Sequence, residues 1–508
     1  MSSKAAFTPD PRSPGAAATE APTAELRRTL RFAVTVAAQL ERPGQRITGG
    51  YAVGEGYYYE VAGEQLTSDQ VSTIESRLQE LIAAGEAVKA VKKSWAEAAA
   101  YFGEHGLEAA RALIETRVSA EVECHECHGV LRLALFPLLD TLGPLAGRTS
   151  LVPAAPGFVV SYGAGGYAPQ PALLDAYRDH IIFAKSHGVA SVGALNSLKQ
   201  VGRSRKDYVL QCEFRQEAKL AEIASRCKER EKAGKPVKVI CIAGPTSSGK
   251  TTFATKMCMY LQNLGFHAKP LTVDHYYLPL DRQPKYQARQ QRSDVDYDHI
   301  ESMDVDLVGE HLNALVSGKS VMTPVYNMKT GYRDEPGHRF EALPDSGILV
   351  IEGIHALNPL YTKTVDADKV FKIFISPLTV LQLDDGNVVK TTYHRLLRRM
   401  CRDYLFRGNS ASTTLKMWDN VRKGEGVWIF PHQNDADYVM NSAADYEVPV
   451  LKTFIEPLLR AVTPEDPNYA KAGELLKLLD SFGTWPPGLS PPAALLREFI
   501  GDGAFDCH

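Results

Sequence analysis

The run "KVICIAGPTSSGKTTFATKMCMYL", Lys238 to Leu261, constrains this chain more than any other stretch. Its opening, "VKVICIAG", is almost continuously apolar and β-branched, the pattern of a strand buried on both faces. Gly244, Pro245, Thr246, Ser247, Ser248, Gly249, Lys250 and Thr251 then fit G-x-x-x-x-G-K-[ST], with Thr252 next. The glycines let the backbone curl until its N–H groups converge on phosphate oxygens. The amphipathic segment "FATKMCMYLQNLG" reads as a helix closed by Gly265. Such a helix aims about half a positive charge at the same point. In this pattern Lys250 reaches the β- and γ-phosphates of a nucleotide and the Thr251 hydroxyl ligates Mg²⁺.

Around this motif the chain alternates between strand and helix patterns. "AKPLTVD", "GILVIEG" and "KVFKIFIS" are further buried strands. That alternation predicts an α/β fold, a P-loop parallel sheet with helices on both faces. Two acids close strands: Glu352 in "ILVIEG" and Asp274 in "LTVDHYY". Open α/β sheets bind ligands at strand carboxyl ends. Glu352 there suits the Walker B role of holding Mg²⁺ or its water. Asp274 suits a base that takes the proton of an acceptor hydroxyl, or a group that orients metal-bound water. In "TTYHRLLRRMCRDYLFRG", Arg395, Arg398, Arg399 and Arg402 recur at i, i+3, i+4 and i+7, one face of a helix. Stacked like charges need something anionic, and a transferring phosphoryl group would supply it. Arg407 precedes Gly408, where a lid could hinge.

The remaining organisation follows from composition. A chain of 508 residues leads us to expect several domains. Residues 1–24 hold almost no large apolar side chain and read as a disordered tail. Residues 25–165 read as a small α+β domain, 166–235 as a mainly helical connector, 236–465 as the P-loop domain and 466–508 as a last helical segment. "LTSDQVSTIESRLQELIAAG" is a helix with Thr67 or Ser68 as cap and Gly85 as stop. A net charge of −3 argues against a broad nucleic-acid grip. There is no apolar run of about 18 residues to span a membrane, and no basic-then-apolar leader is visible. Eight cysteines are too few for a disulfide scaffold in a chain this long, so a reducing, cytoplasmic setting is expected.

With these landmarks on the page, residues 237 to about 460 resemble the uridine kinase and phosphoribulokinase family of P-loop kinases. The carriers are "GPTSSGKT", "VDHYY", "DYDHIESMD", "PVYNMKTGYR", "ILVIEGIHAL" and "RLLRRMCRDYLFRG", in family order and spacing. The resemblance implies an ATP-dependent small-molecule kinase that uses Mg²⁺ with ATP. It implies Asp274 as catalytic base and Tyr277, Asp298 and Tyr326 lining the acceptor site, with Asp298 on ribose hydroxyls. It also implies Arg399, Arg402 and Arg407 in a phosphate-binding lid, and Arg333 closing the acceptor side. Family kinases are often oligomeric, which brings in a homo-oligomer. The positions that meet the pyrimidine in uridine-cytidine kinases hold Met328, Gly331 and Asn409 here, so a ribose-like hydroxyl is better supported than uridine itself. A phosphoribulokinase-like or pantothenate-kinase-like acceptor stays open.

Residues 25 to about 162 resemble the second N-terminal domain of threonyl-tRNA synthetases, through "GEGYYYEV", the capped helix after Thr67 and "LVPAAPGFVV". Gly49 and Gly50 stand near where that family places a His of its editing site, so editing is not expected. "CHECH" offers Cys124, His125, Cys127 and His128, but no second pair follows and a strand would split the set between two faces. A different class of function, a nucleotide-dependent binding or regulatory protein associated with RNA through this half, is the alternative. Full retention of Lys250, Thr251, Asp274, Glu352 and the arginines favours an enzyme, because a binder needs no base.

Overall fold

The computed structural model describes residues 23–53, 56–117, 119–162, 170–199, 204–283, 299–327 and 330–506. The tail expected over 1–24 lies outside them, apart from Thr23 and Ala24, which cap and begin the first helix. That helix, α1 (Ala24–Glu41), starts where the Thr23 hydroxyl accepts the Leu26 N–H at 3.2 Å. Strands β1 (Ile47–Val53) and β2 (Gly56–Val61) follow. Helix α2 (Ser68–Ala84) is capped by Thr67 in a reciprocal box with Gln70 and stopped by Gly85 in the left-handed region. Next come β3 (Lys89–Ser94), α3 (Trp95–Glu104), α4 (Glu108–Glu115), β4 (Glu121–Cys127) and β5 (Val130–Leu133). Strands β6 (Ser150–Ala154) and β7 (Gly157–Ser161) complete an antiparallel sheet of order β1-β2-β7-β6, while β3-β4-β5 form a second one. This is the α+β half. Helices α5 (Pro171–Ser186), α6 (Val192–Ser197) and α7 (Ser204–Lys232) lead out of it.

The second half is built on β8 (Val239–Ala243), α8 (Lys250–Asn263), β9 (His267–Thr272), α9 (Val305–Val316), the hairpin β10 (Val321–Asn327) and β11 (Tyr332–Phe340), and β12 (Gly347–Glu352). Then follow β13 (Val370–Ser376), a small hairpin of β14 (Gln382–Asp384) and β15 (Asn387–Val388), α10 (Thr391–Arg407), α11 (Ala411–Trp428), β16 (Tyr438–Asn441), α12 (Glu447–Arg460) and α13 (Tyr469–Leu479). Five strands make a parallel sheet of order β16-β13-β8-β12-β9. Apolar side chains pack on both of its faces, as the unbroken apolar strands require: Ile240, Ile242 and Val350 on one, Val239, Cys241 and Ile351 on the other. This is the P-loop nucleotide-binding fold, with an α+β layer ahead of it.

The largest core crosses the middle of the chain. It joins Phe102, Leu113 and Leu133 of the α+β half to Val209 of α7, Leu396 of α10 and Trp485 near the C-terminus. The last segment differs from the helical segment expected over 466–508. Helix α13 ends at Leu479, and among the described residues after it only the 3₁₀ turn Pro487–Leu489 and the turn Arg497–Ile500 are helical. Pro486, Pro487, Pro491 and Pro492 cannot donate to a helical ladder, so the chain between runs extended and in turns.

Glu213 of α7 lies in this interior, where its carboxylate accepts the Tyr446 hydroxyl at 2.7 Å. Burial pushes it up from 4.5 to about 7. Folding therefore takes up a proton in that interval. The stabilising contribution is complete below the unfolded value and is lost as pH rises through the folded one. Glu213→Gln keeps an acceptor for Tyr446 and removes the charge. In urea unfolding at pH 8 the variant should be more stable than the parent by roughly 1–3 kcal/mol, and near pH 4.5 the two should coincide.

Candidate active site

The loop between β8 and α8 is shaped by contacts that admit little else. A Cβ on Gly244 would lie 2.0 Å from the Ile375 carbonyl oxygen of the neighbouring strand, so only glycine fits. Ser247 and Gly249 take φ of 62° and 89°. Each carbonyl from Gly244 to Ser248 accepts a hydrogen bond from outside or across the loop. The Lys250 ammonium donates to Gly244 and Pro245 at 3.1 and 3.3 Å. The Arg395 and Arg398 guanidiniums donate to Thr246 and Ser247, both at 3.2 Å. The Ser442 hydroxyl donates to Ser248 at 2.6 Å. Carbonyls fixed this way hold the curl of the loop at the N-terminus of α8, where the helix dipole is positive.

The two acids converge on the same end of the sheet. Glu352 is the last residue of β12, between β8 and β9, and its Oε1 receives the Thr251 hydroxyl at 3.5 Å. Asp274 sits just past β9, in the turn Val273–Tyr276, not on the strand itself. A Cβ on Gly353 would approach Asp274 Oδ1 at 3.5 Å, which places the carboxylate beside the end of β12. Burial raises Asp274 above the ordinary aspartate range, while Lys250, His275, Arg407 and Arg402 pull it down. Burial, and then the charge of Asp274, push Glu352 up to about 7. Two buried carboxylates that repel each other beside a hydroxyl form an oxygen donor set suited to Mg²⁺, which takes one or two carboxylates and leaves its other positions to water and phosphate. Among the described residues no group of three or more His, Cys, Asp or Glu side chains is gathered to hold a metal, as a dedicated all-protein cage would need.

The arginine face of α10 meets protein carboxylates, a correction to the expectation of a phosphoryl group opposite the whole row. Arg395 forks onto Glu425, with Nη1 to Oε2 at 3.0 Å, and all of both residues is buried. Arg398 forks onto Glu447 with two bonds of 2.7 Å, and Glu447 also takes His394 at 2.6 Å. These two arginines are braces of the loop. Arg399 donates to Asp403 at 3.1 Å, and Arg407 donates to the other oxygen of Asp403 at 3.0 Å. Asp403 thereby organises the corner at Gly408, whose left-handed backbone ends α10. Arg402 reaches the loop itself, 3.3 Å from Ser247 Oγ, with Glu498 on its other side at 3.7 Å. Arg402 and Arg407 are thus the members of the row whose charge acts on Asp274.

Where the acceptor side is expected, the Tyr277 and Tyr326 rings lean together, with centroids 5.4 Å apart. Arg333 stands behind them. It donates to the Tyr277 and Tyr276 carbonyls at 3.1 and 3.2 Å and to Asp304 at 3.0 Å, so it shapes the turn that carries Asp274. Asp298 and Met328 lie outside the described residues. Gly331 has φ of 79°, a Cβ there would meet Leu280 at 3.2 Å, and Asn409 follows Gly408 with its N–H on the Asp403 carbonyl at 3.0 Å.

Sequence reasoning missed four residues here. Glu425, Glu447 and Glu498 have no local pattern linking them to the loop, being 30 to 246 positions from their partners. Glu498 accepts both the N–H and the hydroxyl of Thr252, at 3.2 and 2.9 Å, in the first turn of α8. Tyr361 is fully buried, its hydroxyl has no hydrogen-bond partner among the described residues, and the charge of Asp274 acts on it. The "CHECH" residues stand elsewhere and are split: Cys124 and Cys127 enter different cores, His125 bonds the Phe136 carbonyl, and His128 faces Glu86. Burial pushes both thiols up to about 11.

Glu425 binds Arg395 and also takes the Thr246 N–H at 3.0 Å. Glu425→Ala leaves a buried guanidinium without a counter-charge, which should cost roughly 3–5 kcal/mol. The expected result is a lower Tm together with weaker nucleotide binding by calorimetry. Unchanged nucleotide affinity in the folded variant would separate the brace from the loop.

Residues 239–449 match the model of the phosphoribulokinase / uridine kinase family. A uridine kinase of Halobacterium salinarum is 28% identical over 231 residues, 45% of this chain and 90% of that protein. A uridine kinase of Staphylococcus haemolyticus is 28% identical over 213 residues, 42% of this chain and 91% of that one. The solved D-glycerate 3-kinase of Cryptococcus neoformans covers 45% of this chain at 13% identity with a TM-score of 0.30, too low to add to the fold described above. The family match falls on the second half and lends no support to the synthetase resemblance of residues 25–165. Fold, loop and low-identity matches together place the chain in the P-loop kinase superfamily.

Proposed function

We propose that this chain is an ATP-dependent kinase that transfers the γ-phosphate to a hydroxyl of a nucleoside or related sugar. The observation that carries the reading is the Asp274 carboxylate, buried against Glu352 and beside Lys250 at the carboxyl ends of β9 and β12. A binding protein has no use for a base held there.

In this mechanism Asp274 accepts the proton of the acceptor hydroxyl as its oxygen bonds to the γ-phosphorus, and the bond to the β,γ-bridging oxygen breaks to release ADP. A raised carboxylate pKa improves the match between base and hydroxyl. Lys250 and Arg402 offset the charge that spreads over the transferring oxygens, and Arg407 approaches from the corner at Gly408. Thr251 and Glu352, with Asp274, would hold Mg²⁺, which when bound neutralises phosphate charge. Tyr277 and Tyr326 form an aromatic wall for the acceptor, and Arg333 fixes the backbone behind it. Asp298 on the ribose hydroxyls belongs to the same proposal, as do the ATP contacts of Arg399. The relatives named uridine kinases support the nucleoside reading. Seven free buried cysteines among the described residues support a reducing, cytoplasmic setting.

The test is ADP release with Mg²⁺ and ATP across uridine, cytidine, purine nucleosides, ribulose 5-phosphate and pantothenate. One acceptor should raise the rate, and Asp274→Asn should lower it by about 10²–10⁴-fold with ATP binding intact. ATP binding without stimulation by any acceptor would favour a nucleotide-gated binding protein.

A further inference from the structure

A second concentration of positive charge lies away from the phosphate loop and shares no lining residue with it. It is a cavity of about 30 Å³ between α1, the β4–β5 hairpin and the β14–β15 turn. By the usual measure of ~10–15 Å³ per water, this holds more than one water or a small tetrahedral oxyanion. Arg28, Arg31 and Arg132 line it, and each is more than nine-tenths buried. Lys390 stands behind Phe136 and Tyr393, its ammonium 5.8 and 5.0 Å from the two ring centroids.

The counter-charges do not balance this set. Glu474 pairs with Arg28 and takes the Tyr393 hydroxyl. Asp384 is held by the Gly386 N–H and the Asn387 amide, while Asp385 pairs with Arg46. Arg31 lies over the Tyr57 ring at 4.7 Å, and no carboxylate comes within ion-pair distance of it among the described residues. Arg132 spends its Nη atoms on Gln39 and its neighbour's carbonyl. The Nε atoms of Arg28 and Arg132 are buried with no hydrogen-bond partner among the described residues. Burial, with Arg31 and Arg28 nearby, holds the Lys390 ammonium well below the usual lysine range. His125, which burial shifts below its ordinary value, adds a polar wall with its Nε2 on the Phe136 carbonyl at 3.1 Å.

We propose that this cavity is a binding site for a phosphate dianion, either orthophosphate or the terminal phosphate of a small ester. Guanidinium forks match tetrahedral oxyanions in both charge and geometry. A dianion would answer Arg31 and Arg132, two lining cations with no carboxylate within ion-pair distance among the described residues, and would favour the charged form of Lys390 nearby. Leu133, Leu135 and Phe136 exclude water and so strengthen each contact. Lys390 is the residue that caps α10, whose arginines brace the nucleotide loop, so an occupant here bears on the same helix from its other end.

The test uses the full chain with Mg²⁺ and a non-hydrolysable ATP analogue at saturation, so that the nucleotide loop is already filled. Orthophosphate and ribose 5-phosphate are titrated separately by calorimetry and by thermal shift. One site should bind, and Arg31→Gln should weaken it by about tenfold or more, as expected when one charge-assisted pair is lost. Tighter binding of the ester assigns the occupant as a phosphate monoester, and equal binding assigns free phosphate. Lys390→Met covers the case in which the arginine variant does not fold. It should not lower Tm in anion-free buffer, because burial already disfavours the Lys390 charge there, and it should abolish the rise in Tm that phosphate gives the parent. Absence of binding by both anions to the nucleotide-saturated parent, or a phosphate response that survives Lys390→Met, would overturn the proposal.

Discussion

The ion pairs behind the nucleotide loop are the constraint on which the site depends. A loop that turns its N–H groups inward turns carbonyls outward, and buried carbonyls need donors. Arg395 and Arg398 supply them from α10. Each is then charge-balanced by a carboxylate on a different helix, Glu425 on α11 and Glu447 on α12. Buried ion pairs return their desolvation cost only when nearly every donor is used. Arg398 meets that condition: Nε and Nη2 fork onto Glu447, Nη1 takes the Ser247 carbonyl, and Nη2 also takes that of Ser442. The arrangement ties three helices to one turn of backbone, so the loop's shape is set from outside before any phosphate arrives.

The C-terminal segment completes the enclosure. Glu498 caps the first turn of α8 through Thr252, and Phe499 lies beneath the guanidiniums of Arg398 and Arg402, at 5.1 and 5.6 Å. Leu495 comes within 3.7 Å of the Cβ that Gly249 lacks. Lys256, farther along α8, donates to the Ala493 carbonyl at 3.0 Å. Residues more than two hundred positions apart thus share one turn of helix. The same economy appears in the main core, where Trp485 and Leu133 pack in one cluster. The α+β half is joined to the nucleotide-binding half through packed apolar surface, and through Asp385, which takes both Arg46 and the Ala110 N–H.

Local features were legible in the sequence and distant ones were not. The Thr67 cap and Gly85 stop of α2, the apolar strands and the phosphate loop each depend on neighbours within a few positions, and each appears where its pattern lies. Asp274 was placed at a strand end and stands one turn beyond it, because β9 closes at Thr272. Helical spacing put the arginines on one face but carries no information about what that face meets. Glu425, Glu447 and Glu498 come from three later segments, and only the folded chain brings them there. The last segment, expected to be helical, carries prolines that remove the donors a ladder needs, and it works as a strap. Glu498 could not be assigned to the loop until the strap's path was known.

On the nucleoside-kinase reading, the acceptor wall limits how selectivity can arise. Sites that read a polar edge through hydrogen bonds reject a wrong substrate by about 10⁴ or more, while shape in an apolar pocket gives about 10–200-fold. Gly331 has no side chain to offer, and its left-handed φ of 79° with Leu280 pressed against it leaves no room to gain one cheaply. Arg333 has its charge on Asp304 and its other donors on backbone carbonyls, so it is spent on holding the turn. What remains on this side among the described residues is two tyrosines leaning together, a surface that accepts a flat or sugar-like face without naming it. Among the described residues this leaves discrimination among hydroxyl acceptors to the carboxylate pair, where the position of the reacting oxygen relative to Asp274 decides whether a bound molecule can be phosphorylated at all.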